Sequence, residues 1–167
     1  MNFDIVQGDI AAQSADALVN AANTGMRMGT GVSGALREAG GDALDEEAVA
    51  NGPVDLGGVV VTDAYDLDAE YVLHAATMTP QGAASRESIR DATRNALGRA
   101  DELGCASLVI PVLGTGSGGF STAEGARTIA RVLAAARPDR LETVRLIAHG
   151  DDTYRTVRRV CDDVRNV

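Results

Sequence analysis

The chain has 167 residues, 45% of them hydrophobic and 23% charged, a balance that suits a globular domain able to bury a sizeable core. Its net charge is −9, and all 15 basic residues are arginine. Without lysine there is no P-loop, no Schiff-base enzyme and no protein kinase.

In chain order, residues 3–6 read as a first strand and 17–19 as a short buried one. Residues 31–50 are helical in pattern, with a break at Gly40-Gly41, and 59–62 and 71–74 are β-branched or aromatic strands bounded by turn residues. Residues 86–103 carry Ile89, Ala92, Ala96, Leu97, Ala100 and Leu103 at helical spacing behind Ser85, a natural N-cap. A strand over 108–113, a helix over 121–136 capped by Ser121 or Thr122, a strand over 144–148 and a helix over 151–164 complete the chain. This alternation predicts one three-layer α/β/α domain over 1–167 with a central mixed, mostly parallel sheet.

The acidic, lysine-free composition is that of proteins from salt-saturated cytoplasms, where screening reduces self-repulsion among carboxylates. It offers no basic patch for a phosphate backbone, so nucleic acid is not an expected partner. No apolar run is long enough to cross a bilayer and the start, MNFDIVQGDI, lacks a signal sequence. A cytoplasmic location follows by default, with no membrane partner and a monomeric state expected. Cys105 and Cys161 stand far apart with no Cys-x-x-Cys or histidine cluster, and so read as two unpaired thiols. Neither a metal nor a cofactor is expected.

Two glycine clusters carry the chemistry. Gly29-Thr30-Gly31-Val32-Ser33-Gly34 precedes the first helix, and Gly114-Thr115-Gly116-Ser117-Gly118-Gly119 joins the 108–113 strand to the next helix. Glycine is entropically expensive, and two such loops ahead of helix N-termini suit the two phosphates of a diphosphate; two tight turns are the plainer alternative. Residues 29–34 also match Gly-x-Gly-x-x-Gly. However, Gly29 does not directly follow a strand, and 53–57 is turn-like where a Rossmann site needs a strand ending in an acid. Ser33 and Ser117 both lack the Gly-x-Ser-x-Gly frame of a serine hydrolase.

Gln-Gly-Asp-Ile (7–10), Val-Asn-Ala-Ala-Asn (19–23), the 29–36 glycine segment, Gly57-Gly58 before 59–62, Tyr-Val-Leu-His-Ala-Ala (71–76) and the 114–120 loop together resemble the macro domain family of ADP-ribose readers and hydrolases, end to end. The resemblance implies that Asp9 accepts the adenine amino group with the Ile10 N–H nearby, although Asp9 also suits a cap on the turn that follows. It implies that Gly29, Gly31, Val32, Ser33 and Gly114, Thr115, Gly116, Ser117, Gly118, Gly119 wrap the diphosphate. Asn23 would bind the distal ribose and act as the catalytic residue, while Asn20 would staple backbone. His149, or Tyr154 in its place, stands where an aromatic stacks on adenine in the family; a plain exposed histidine is the alternative. His74, inside an apolar strand, reads as a satisfied core histidine. Two departures bear on activity: Ser33 replaces the Asp usual in the hydrolase branch, and Gly118 replaces an aromatic. The implied partner is ADP-ribose, free or on protein. The implied function is weak hydrolysis of ADP-ribose esters, from acidic side chains or as O-acetyl-ADP-ribose, with a non-catalytic reader as the alternative and a nucleotide-binding module outside the family a weaker third.

Overall fold

The computed structural model describes residues 1–166, so Val167, the last residue of the expected domain, lies outside them. Six strands form one sheet in the order β1-β6-β5-β2-β4-β3: β1 Asn2–Gln7, β2 Ala17–Asn23, β3 Val59–Asp63, β4 Tyr71–Met78, β5 Ser107–Pro111 and β6 Thr143–Ala148. Only β3 runs antiparallel, against β4; all other pairs are parallel. The mixed, mostly parallel α/β/α sandwich is therefore the architecture.

Alternation along the central strands assigns the helices to faces. In β2, Ala17 and Val19 join one core while Leu18 joins the other. The larger core packs α3 (Arg86–Glu102), α4 (Thr122–Ala135) and α5 (Asp151–Arg165) on one side, and the smaller packs α1 (Gly31–Gly40), α2 (Asp42–Ala50) and Ile10 on the other. The break expected at Gly40-Gly41 divides 31–50 into two helices, because Gly41 sits at φ +101°, a conformation that ends α1 and opens α2.

Two strand boundaries differ from expectation in ways that place the site. β2 continues through Asn20 and Asn23, since pairing with β4 along Ala17–Asn23 overrides the poor strand propensity of Ala and Asn. β5 stops at Pro111, so Val112 and Leu113 belong to the connection that leads into the second glycine loop. No helix among the described residues is long and apolar enough to cross a membrane.

Candidate functional site

The carboxyl ends of β1, β2, β5 and β6 open into a cleft of ≈ 900 Å³, the edge at which parallel α/β sheets bind ligands. Asp9 and Ile10 reach it from the turn after β1, Asn23 from the end of β2, the two glycine loops from either side, and His149 from the end of β6. Every candidate lines the cleft except Gly119, whose N–H donates to Gly116 O at 3.0 Å and closes its turn. Tyr154 does not line it either; its hydroxyl accepts from Arg158.

The two loops expose backbone for different reasons. α3 and α4 begin with ordinary side-chain caps, Ser85 and Ser121. α1 does not. Its N-cap, Thr30, makes no capping bond, and its hydroxyl instead meets Ser117 Oγ at 3.2 Å, a contact between the two glycine loops. The helix's own bonding begins with Gly34 N–H to Thr30 O, which leaves the amides of Gly31, Val32 and Ser33 without intrahelical acceptors at the positive end of the dipole. A buried carboxylate anchors the approach: Asp45 Oδ1 accepts the Met28 N–H at 2.6 Å, and Arg37 lies 3.6 Å from its other oxygen.

In the second loop, packing demands glycine at position 118, where a Cβ would fall 2.5 Å from Gly114 O. At Gly29 and Gly116 a Cβ would meet nothing within 4 Å. Both line the cleft, so the room that a side chain would take is open to a ligand.

The polar groups at the rim are oriented by backbone. Asp9 is the N-cap of the turn Ile10–Ala12: Oδ1 accepts the Ala11 N–H at 2.9 Å, while the exposed carboxylate's second oxygen is not used by the cap. Asn23 Oδ1 accepts the Gly25 N–H at 2.9 Å and its Nδ2 donates to Arg27 O at 3.4 Å, which fixes which end of the amide is which. One N–H and one lone pair remain for a partner.

Ser33 lines the cleft but turns its hydroxyl inward. Only 6% exposed, it donates to Asn20 Oδ1 at 2.8 Å, with Ala21 O at 3.1 Å. Asn20 Nδ2 then donates to His74 Nδ1 at 3.0 Å, His74 Nε2 to Thr62 Oγ1 at 2.9 Å, and Thr62 to Asp63 O at 2.9 Å. This directional chain runs from α1 across β2 and β4 to β3 and assigns His74 as a neutral imidazole protonated on Nε2. Burial lowers its pKa from 6.5 to about 4. His74 is thus the satisfied core histidine expected, but Asn20 is not a backbone stapler: it joins two side chains.

Asp9 and Arg27 are the only charged side chains lining the cleft among the described residues. Arg27 and Thr30 line the cleft but are not among the expected site residues, although Thr30 stands inside the first glycine cluster. Thr30 is the N-cap residue of α1, and no sequence pattern marks a cap whose hydroxyl points away from its helix.

The Macro domain family profile matches residues 19–129. The chain belongs to this family. An uncharacterized protein of Mycobacterium tuberculosis is 41% identical over 93% of this chain, which spans only 43% of that relative's length. An uncharacterized protein of Aeropyrum pernix is 37% identical, with 93% of this macro domain and 82% of the relative covered. Among solved structures, the Trypanosoma brucei macrodomain in complex with ADP-ribose superposes with TM-score 0.83 at 27% identity, over 94% of this chain and 68% of that one. An Oceanobacillus iheyensis macrodomain variant with ADPR reaches TM-score 0.88 at 22% identity, over 98% and 93% of the two chains.

Proposed function

We propose that this macro domain binds ADP-ribose, free or attached to protein, and hydrolyses ADP-ribose esters slowly. The observation that carries the binding is the uncapped start of α1 facing a second glycine loop across the cleft, with Asp9 and Asn23 available at the rim. Backbone amides and a helix end hold a diphosphate without lysine, which reconciles an anionic ligand with a chain of net charge −9. Asp9 supplies an acceptor for the adenine amino group, His149 a face beside the purine, and Asn23 a donor and acceptor for the distal ribose. The Trypanosoma brucei macrodomain of the same fold, which holds ADP-ribose, supports the same ligand here.

The hydrolytic step rests on Asn23, whose oriented amide positions water at the distal ribose. For an ester to an acidic side chain, water attacks the anomeric carbon, the C–O bond to the acyl group breaks, and the carboxylate departs without needing an acid. The water's proton goes to a ligand phosphate oxygen, since Ser33 is engaged with Asn20 and the only lining carboxylate among the described residues, Asp9, belongs to the adenine end in this reading. A positioned general base contributes about 10²–10⁴-fold, so turnover is slow by that factor. Calorimetry with ADP-ribose, AMP and NAD, paired with turnover on an ADP-ribosylated acidic protein, tests both parts. Binding with turnover lost in Asn23→Ala supports the reading. Binding without turnover leaves a reader, and no heat with ADP-ribose overturns it.

A further inference from the structure

The acidic composition predicts no basic patch, and the fold corrects that expectation. Arg86, Arg90 and Arg94 on α3, Arg131 on α4 and Arg137 just past its end line one groove of ≈ 490 Å³ that shares no lining residue with the glycine loops' cleft. Five of the chain's 15 arginines are thereby gathered at one place in a molecule with 24 acids. Local partners account for three of them. Arg86 pairs with Glu124 at 3.2 Å and Arg90 with its neighbour Asp91, while Arg137 donates to the carbonyls ending α4. Arg94 and Arg131 meet no carboxylate within 4.0 Å among the described residues, and both are exposed. The one acid lining the groove among the described residues, Asp101, accepts the N–H groups of Leu141, Arg140 and Asp139, which lower its pKa and keep it ionised, so five arginines face a single carboxylate there.

We propose that the α3/α4 groove docks an acidic polypeptide segment of a partner protein. The geometry favours a peptide over other polyanions. Arg86, Arg90 and Arg94 recur every fourth residue, about 6 Å apart along the helix axis, and acids at alternate positions of an extended peptide repeat about every 6.7 Å. Leu97, Gly98, Val132 and Ala135 also line the groove and offer apolar surface to the residues between those acids. No aromatic side chain lines the groove for base stacking, and a long polyanion would run out over a surface of the opposite preference, net −9 overall. A short acidic segment ends where the arginines end.

The groove stands independently of the ADP-ribose reading, although its upper end lies beside the second glycine loop: the Ala84 N–H, two residues before Arg86, donates to Gly118 O at 3.0 Å. A labelled, acetylated peptide of alternating Asp and Val, titrated by fluorescence anisotropy at about 0.1 M salt, is the probe. The whole chain is expected to bind it saturably and without competition from ADP-ribose. The R94E/R131E variant is expected to bind about tenfold more weakly or worse, with ADP-ribose binding and Tm unchanged. Should that variant fold poorly, R94Q/R131Q takes its place with the same readouts. Peptide binding absent from the parent, or equal in parent and variant, overturns the proposal. So does a single-stranded oligonucleotide of matched charge that binds more tightly than the peptide.

Discussion

Ser33→Asp is expected to destabilise the protein rather than equip it with a catalytic base. Ser33 is 6% exposed, and its hydroxyl donates to Asn20 Oδ1 at 2.8 Å with Ala21 O at 3.1 Å. A carboxylate in that position would set acceptor against acceptor inside the sandwich. The Asn20 amide cannot simply flip to receive it, because Nδ2 serves His74 Nδ1, and reversing that bond reverses the His74 and Thr62 bonds behind it. A buried, poorly compensated charge costs about 3 kcal/mol or more. Ser33→Ala provides the calibration: it removes only the donor and strands the Asn20 oxygen, at about 1–3 kcal/mol. Urea denaturation of the three proteins reads these losses as midpoint shifts at constant slope, with turnover on an ADP-ribosylated acidic protein measured alongside. An Asp variant with the parent's midpoint and raised turnover would refute the reasoning, because position 33 would then face the ligand rather than Asn20.

Stability should fall on acidification through His74. Its folded pKa of about 4 lies below the usual 6.5, so the unfolded chain binds the extra proton first; the contribution is complete above pH 6.5 and lost as pH drops toward 4, about 3 kcal/mol in all. Denaturation midpoints across that range check this, and His74→Gln should flatten the dependence. Asp9→Asn retains the cap on the Ile10–Ala12 turn but removes the charge, so it should leave Tm nearly unchanged while weakening ADP-ribose binding about tenfold or more by calorimetry. Gly118→Ala forces a Cβ to 2.5 Å from Gly114 O; about 1–3 kcal/mol of stability should be lost in urea, and ADP-ribose affinity with it. Cys161, buried with its pKa pushed up to about 11, and Cys105, buried and also raised, should resist thiol reagents at neutral pH until the protein unfolds.

Much of the architecture was legible because its signals are local. Ser85 with Ser88, and Ser121 with Glu124 N–H, cap helices where their sequence positions say they should, and the β-branched run at β3 and the apolar, Tyr-led run at β4 pair as the only antiparallel neighbours among the described residues. The end of β2 was not legible, since Ala-Ala-Asn becomes strand only through contacts with β4, far along the chain. The glycine clusters could be found as clusters, yet nothing in their spelling separates Gly118, closed in by its own loop, from Gly116, open to the cleft. The direction of the Ser33 hydroxyl depends on how Asn20 is held by His74, 54 residues further on, and the gathering of arginines depends on how α3 and α4 pack. Total charge conceals such a groove because it averages over the whole surface.

The central claim is that bare amides at the start of α1 and in the second glycine loop hold a diphosphate. Following backbone amide resonances by NMR while ADP-ribose is added tests it most directly. The account predicts saturable shifts concentrated at Gly31, Val32, Ser33, Gly116 and Ser117, reproduced in part by ADP and absent with adenosine alone. Unmoved resonances at those amides, or shifts confined to another surface of the domain, would contradict it.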